Sequence, residues 1–301
     1  MRLLLQEEVV VQENVEMFDT SVLEDLLGGV YHVDIALLSP VDFGFPIARP
    51  RKYTVCRHKF KTKAWKSPFN IFSGMFQADM LFGKFEVTDP VPAWHVYFCA
   101  EPADLLAELQ WACSRQQSGS YESGCPFKTV EDLKEALERR PSDVKEAFLN
   151  ALNPMETLHL HEYRSRCPQR AYSLNQNPEV SMTTSGWDRL QCLIKNTGLL
   201  WSDFHGRWLA ANEALLCQGI PVYAHLSLGV AVSPFAVRHE AGSDELQRRA
   251  RIGQAGNAMH SMMCAVPLVY AMTQIESVSQ GYTSQFAGLM RRLRADTVGR
   301  V

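Results

Sequence analysis

The sequence predicts an α/β fold: an open sheet with covering helices, followed by a region of short strands and helices. Three observations carry this reading. Apolar strand-like runs alternate with a helical period in the first sixty residues, and helical periodicity dominates residues 102–152. The 301 residues are 46% hydrophobic and 21% charged, enough apolar material for a substantial core and far from the composition of a disordered chain. As a soft prior, this length corresponds to one large domain or two of about 150 residues.

Val9-Val10-Val11 is β-branched and reads as a short buried strand ending at Gln12-Glu13-Asn14-Val15. Polar residues at a strand's C-terminal end are a common seat of chemistry in α/β folds. Phe18 to Leu27 has apolar residues at helical spacing, and Gly28-Gly29 stops it. Tyr31–Leu38 and Lys52–Arg57 read as the second and third strands, joined by Ser39 to Arg51. From Phe60 to Phe98 the chain is aromatic-rich, with turn signals at Ser67-Pro68, Ser73-Gly74 and Asp89-Pro90, so short strands are expected.

Helices are expected over Pro102–Gln116 and Val130–Leu152, with the Ser/Gly segment Gln117–Gly124 as a flexible loop between them. Leu209–Gln218 reads as a helix stopped by Gly219 and Pro221, and Asp244–Met272 as one or two more. The tail carries Arg291, Arg292 and Arg294, and no internal repeat is found.

The longest apolar run, Met262 to Met272, is well short of the ~18 residues needed to span a bilayer and contains a proline. Glu7 and Glu8 interrupt Leu3-Leu4-Leu5 too early for a secretory signal. An intracellular protein is expected, nuclear in a eukaryote, with no membrane partner. The eight cysteines are scattered without close pairs, which fits free thiols better than a disulfide framework.

The net charge of −3 hides an asymmetry: residues 1–30 carry seven acids against Arg2 alone, whereas Arg49 to Lys66 holds eight basic residues and no acid. Such a stripe suits a phosphate-tracking groove or, equally, a solvated strand and loop.

Dinucleotide, P-loop, serine-hydrolase and zincin patterns are absent, so those chemistries have no local support. His159-Leu160-His161 with Cys167 could form half a zinc site, but no second pair follows at finger spacing, so surface histidines are the plainer reading and no metal is expected.

Four further segments occur in a fixed order: Glu13-Asn14-Val15; Asp42-Phe43-Gly44-Phe45-Pro46-Ile47-Ala48-Arg49-Pro50-Arg51; Leu209-Ala210-Ala211-Asn212-Glu213-Ala214-Leu215-Leu216-Cys217-Gln218-Gly219-Ile220-Pro221; and Gly256-Asn257-Ala258-Met259, expected to open an apolar helix. This order resembles the C-terminal part of the cytosine-C5 DNA methyltransferases. That family has an ENV triplet, a G-x-P-Q-x-R-x-R segment, a variable target-recognition region, an L-T-x-x-E-x-x-x-L-Q-G-F-P segment and a closing G-N-[AS]-[VM]. Leu193 to Ser202 is also similar to the family's lead into its penultimate motif.

The resemblance implies a partial Rossmann-like class I methyltransferase sheet, last strands only, plus an α+β target-recognition domain. It divides the chain into 1–58 (C-terminal half of the catalytic sheet), 59–205 (target recognition), 206–280 (return to the catalytic domain) and 281–301 (basic tail). Attack on C6 of cytosine needs a thiolate, a base swung out of the duplex, and a contact at N3 to take up developing charge. By resemblance Glu13, with Asn14 and Val15, supplies the N3 contact, and Arg49 and Arg51 hold the base edge or the catalytic loop. Gly256, Asn257 and Ala258 would line an S-adenosylmethionine pocket. Arg57, Lys59, Lys61, Lys63 and Lys66, with Gln218 and Gly219, would face double-stranded DNA. The plainer alternatives are a satisfied helix-start glutamate for Glu13 and solvent or phosphate contacts for the arginines. Trp65, Phe69, Phe72 and Phe76 are expected in the core rather than as stacking platforms.

The family's Phe-x-Gly-x-Gly cofactor loop and Pro-Cys-Gln nucleophile loop are missing: no cysteine here follows a proline. Ile47 replaces the usual glutamine, Cys217 a leucine, and His260-Ser261 the prolines after the last motif. The expectation is an incomplete form, inactive alone and needing an N-terminal catalytic half in cis or in trans. Val9–Val11 would then form an uncovered sheet edge. The alternatives are a non-catalytic nucleic-acid-binding or regulatory module derived from the family, or a tRNA cytosine-C5 methyltransferase relative.

Overall fold

The computed structural model describes residues 7–64, 67–77, 91–116, 124–194, 198–223 and 245–278. In chain order the elements are β1 (Val9–Val15), α1 (Ser21–Leu27), β2 (Tyr31–Leu38), a 3-10 turn (Pro40–Phe43), β3 (Arg51–His58), β4 (Thr62–Ala64), α2 (Phe69–Gly74) and a 3-10 turn (Ala93–Tyr97). There follow α3 (Pro102–Gln116), α4 (Val130–Arg139), α5 (Pro141–Asn150), α6 (Pro154–Arg166), β5 (Ala171–Ser173), β6 (Leu200–Ser202) and β7 (Arg207–Trp208). The last are α7 (Ala211–Leu216), α8 (Glu245–Asn257), α9 (Ser261–Gln274) and β8 (Ile275–Ser277). The chain is mixed α/β with small antiparallel sheets, and it divides into two units: 1–43, 50–85 and 262–301 in the first, 44–49 and 86–261 in the second.

The first unit is built on a three-stranded sheet of order β1-β3-β2. β3 is antiparallel to both neighbours, pairing Val11 with Val55 on one side and Ala36 with Tyr53 on the other, so β1 and β2 run parallel to each other. Being central, β3 is the strand whose middle, Tyr53 to Cys56, is fully buried. Side chains alternate across a strand. One sheet face therefore gathers Val9, Val11, Tyr53, Val55, Ala36 and Leu38, which pack with Phe69 and Phe72 of α2 and Met263, Val266 and Tyr270 of α9. β4 pairs with β8 as a separate ribbon.

The second unit has two apolar clusters. α3 to α6 pack around Trp201, Trp208, Phe148 and Tyr163, while Trp94, Ile47, Leu209 and Ile252 centre the other. β5, β6 and β7 form a short antiparallel sheet that gives Tyr172, Trp201 and Trp208 to the first cluster and Ala171 and Leu200 to the other.

Several sequence expectations need correction. β1 runs through the polar segment to Val15, with Glu13 and Asn14 paired with Tyr53 and Lys52, and it is half-buried rather than buried because only one of its edges is paired. Phe69–Gly74 is a helix, not a strand. Val130–Leu152 is two helices, because Pro141 forces Arg140 out of helical geometry (φ −141, ψ 58) and then starts the next helix at its first turn. Gly256-Asn257 ends α8 rather than opening α9, as suits a residue pair favoured at helix C-termini. Asp89-Pro90, Gln117–Ser123, Asp244 as a helix start and the arginines of the tail lie outside the described residues. Among the described residues no helix is long and apolar enough to cross a membrane.

Candidate functional site

In the first unit the ENV segment and the second arginine of the R-x-R segment meet across the sheet. Val15 pairs with Arg51 and Glu13 with Tyr53, so Glu13 and Arg51 sit diagonally on one face, and Arg51 Nε reaches Glu13 Oε1 at 3.1 Å. Both side chains keep contact with solvent, 20% and 18% exposed. Arg51 also donates from a terminal nitrogen to the Pro50 carbonyl at 2.7 Å, which fixes the guanidinium plane. Asn14 holds a buried side-chain nitrogen without a partner among the described residues, and Val15 is exposed.

Arg49 belongs to the second unit and does different work. It is 4% exposed, and its terminal nitrogens donate to the carbonyls of Leu193 at 3.0 Å and Gly256 at 3.1 Å. The planar fork thus ties the G-x-P-x-x-R segment to a residue of the G-N-A-M segment 207 positions away. Ile47 supports the same loop by a parallel bridge to Leu190.

The third segment contains a group that sequence reading places in its motif without a role. Glu213, wholly buried at the start of α7, takes Arg207 in a bidentate pair at 2.7 and 2.8 Å and accepts the backbone N–H groups of Ala100 and Ala210. Burial opposes the Arg207 charge, yet the adjoining Glu213 carboxylate raises its pKa above the usual value. The acid in the pattern, three residues past the start of a helix and short of Gln-Gly, is the available sign.

Gln218 and Gly219 end that segment. Gln218 is completely buried, its amide has no hydrogen-bond partner among the described residues, and its carbonyl accepts from Ser261 N at 2.9 Å. Gly219 has φ +70, and a Cβ there would stand 2.4 Å from Ser261 Oγ, so this turn requires glycine. Ser261 Oγ donates to the Gly219 carbonyl. Neither residue presents its side chain to a nucleic acid in this arrangement: one is enclosed and the other has none.

Gly256 spends its carbonyl on Arg49, Asn257 is exposed at the end of α8, and Ala258 is half-buried. The following His260 is 1% exposed, edge-on to Phe45 with ring centroids 4.9 Å apart, and burial together with the Arg49 charge pushes its pKa down to about 4.

The basic stripe is partly spent within the protein. Arg57 pairs with Asp34 at 3.3 Å, and Lys59 donates to the Gly28 carbonyl at the end of α1. Lys61 is half-buried and Lys63 exposed. Lys66 lies outside the described residues, as does Trp65. Phe69 and Phe72 are core residues, whereas Phe76 is 40% exposed.

A buried acidic layer is invisible to sequence reading altogether. Asp104 and Glu108 of α3 receive Asn212, Tyr223, Trp208 and Arg248, and Arg248 also lies 3.5 Å over the Trp111 ring. With Arg251 bonded to Asn212, this layer seats α8 and lines a small cleft. The partners of Asp104 and Glu108 lie a hundred or more residues away in sequence, and no local pattern joins them. His159 is buried, its Nδ1 contacts the Leu174 carbonyl at 2.8 Å, and among the described residues no group of three His, Cys, Asp or Glu is placed to hold a metal.

No protein-family model matches the sequence, and no curated protein matches it either. Among solved structures the chain is similar to the crystal structure of the S. pombe Dnmt2 methyltransferase, with 13% identity and a TM-score of 0.39. The similarity covers 87% of this chain and 64% of that one, so the chain spans less than two thirds of its length.

Proposed function

We propose that this chain is the C-terminal, nucleic-acid-facing part of a cytosine-C5 DNA methyltransferase-like protein, holding the glutamate and arginine side of the active site. One observation carries the proposal: segments far apart in sequence that compose the motif resemblance are joined by direct bonds. Glu13 is bound to Arg51 and Arg49 to Gly256, and Gln218 is bound to Ser261, two residues past the last segment. Four unrelated coincidences of spelling would have no reason to pair in this way.

In this reading Arg51 fixes Glu13 through Oε1, and the second carboxyl oxygen is offered to N3 of a cytosine swung out of the duplex, where charge develops as C6 is attacked. Glu13 is the catalytic residue and Arg51 positions it. Arg49, enclosed and committed to two carbonyls, positions the loop and reads no base. The thiolate nucleophile comes from residues outside these 301. S-adenosylmethionine supplies the methyl group when bound, but this chain's own residues do not fit it alone. Of the Gly256–Ala258 segment only Asn257 is exposed, and neither described cavity is lined by these residues. β1, one of the two edge strands of the described sheet, is the natural seam for the remaining half.

The reading is tested by binding to double-stranded DNA against tRNA over a range of salt. Preference for DNA with a steep negative salt slope is expected. Lys61→Ala with Lys63→Ala should lessen the slope by about 2, near 0.9 for each phosphate no longer neutralised. Tighter binding to tRNA would transfer the assignment to the RNA-modifying branch. Absence of binding to both would overturn it.

A further inference from the structure

We infer that the hairpin turn between β6 and β7, together with the 3-10 turn Ala93–Tyr97, forms a stacking platform for an unpaired nucleobase on a nucleic-acid strand. The inference goes beyond the reading of Glu13 and does not rest on it, since every residue involved belongs to the second unit.

His205 is stacked with two rings. Phe98 lies parallel to it within 7° at a centroid distance of 4.5 Å, and His95 within 6° at 5.6 Å. Phe204 stands edge-on to both histidines, 5.1 Å from His205 and 6.0 Å from His95. Exposure rises across the group: Phe98 is buried, His205 half-buried, and His95 and Phe204 exposed. The group therefore starts in the core and ends in two rings open to solvent. Burial, and then the charges of Arg207, His95 and Lys145, push the His205 pKa down to about 3, so near pH 7 its ring is an uncharged π surface.

The turn is held firmly. Asp203 Oδ1 accepts from Arg164 at 2.6 Å and from Trp201 at 3.3 Å, and its Oδ2 accepts from the Tyr172 hydroxyl at 3.0 Å. His205 N donates to Ser202 Oγ at 3.1 Å, and Gly206, at φ +65, closes the turn by donating to the Ser202 carbonyl. One exposed apolar side chain needs no explanation. A phenylalanine fixed beside a ring stack by this many bonds is preorganised, so a ligand does not bear the cost of ordering it.

Charge selects the occupant. Lys145 is exposed and lies against Gly206. Arg170, whose carbonyl accepts from Asp203 N at 3.0 Å, holds its guanidinium 5.5 Å over the Trp187 ring and has a buried terminal nitrogen with no partner among the described residues. The Trp187 carbonyl accepts from Ala93 N at 3.1 Å, which brings that loop beside the 3-10 turn. Rings flanked by cations match a base flanked by phosphates, and aromatic stacking tolerates any base. An apolar protein partner would need a much broader face. In the two segments that build the stack, Val96 and Phe204 are the large apolar side chains exposed. A paired and stacked base offers no free face, so the occupant is unpaired.

The experiment titrates the full chain, by fluorescence anisotropy, into labelled oligo-deoxyadenylate, oligo-adenylate and an abasic strand of the same length, which keeps the phosphates and lacks the bases. Base-bearing strands should bind more tightly than the abasic one. Phe204→Ala should weaken them about 5- to 140-fold, equivalent to ~1–3 kcal/mol for one stacked base, and leave abasic binding unchanged. Phe204→Trp should retain the preference, and Lys145→Ala should weaken all strands alike. Should Phe204→Ala lose its native circular dichroism, His95→Ala, also at an exposed ring, should show the same base-selective loss. That loss on the deoxy strand identifies DNA as the source of the base, and on the ribo strand RNA. Equal affinity for base-bearing and abasic strands, a Phe204→Ala loss shared by the abasic strand, or no binding of any strand would overturn the inference. Lys61→Ala with Lys63→Ala should leave the base preference intact, so failure here and failure of the duplex-binding reading are distinguishable.

Discussion

Arg207 and Glu213 form a bidentate ion pair inside the second unit, with nitrogen–oxygen distances of 2.7 and 2.8 Å and side chains 10% and 0% exposed. Such a pair gains little over apolar neighbours of equal size, because desolvation offsets the attraction, but breaking it strands a charge. Glu213→Ala is expected to cost about 3–5 kcal/mol. Removing both charges with Arg207→Met and Glu213→Leu should cost less than the single change. Urea denaturation of the single and the double variant checks this, and a larger loss in the double variant would contradict it.

Arg49 and Glu13 should separate structure from function. Arg49→Met leaves the carbonyls of Leu193 and Gly256 without their donor, each worth about 1–3 kcal/mol when buried. Glu13→Gln disturbs only a part-exposed ion pair, where about 0–1 kcal/mol is at stake. Thermal melts should therefore show a large loss for the first and almost none for the second.

His260 makes stability depend on pH. Its pKa falls from 6.5 in the unfolded chain to about 4 in the folded one, so below 6.5 the unfolded state binds more protons. The stability it permits is complete above pH 6.5 and is lost as pH falls towards 4. Between pH 7 and pH 5 the loss is about 2 kcal/mol. His205, lowered to about 3 by burial and then by Arg207, His95 and Lys145, acts in the same direction. His260→Leu should flatten the profile and also remove two buried ring nitrogens that have no partner among the described residues. Denaturation midpoints from pH 5 to 8 check this, and an unchanged slope would contradict it.

Elements governed by their own residues are legible in the sequence. Tyr31–Leu38 and Pro102–Gln116 are read with the bounds that the structure gives, because alternation and helical period are local properties. Where a distant partner decides, local reading falls short. β1 is half-buried rather than buried because it lies at a sheet edge with β3 alone beside it, and Arg49 is enclosed because Gly256 offers a carbonyl from 207 residues away. Pro141 is the local sign that the long helix breaks, and the apolar period on either side of it masks that sign. The Asp104–Glu108 layer arises from the packing of helices, which no spacing rule encodes.

The central claim is that Glu13 acts on cytosine. The direct measurement is transfer of a labelled methyl group from S-adenosylmethionine to double-stranded DNA. The full chain is mixed with a polypeptide carrying a Phe-x-Gly-x-Gly loop and a Pro-Cys-Gln nucleophile, and Glu13→Gln is run beside it. Label at C5 of cytosine is expected with the native chain, falling about 10²–10⁴-fold with Glu13→Gln while its melting temperature holds. Equal transfer by the two chains, or none by the native chain on any DNA or tRNA, would contradict the account.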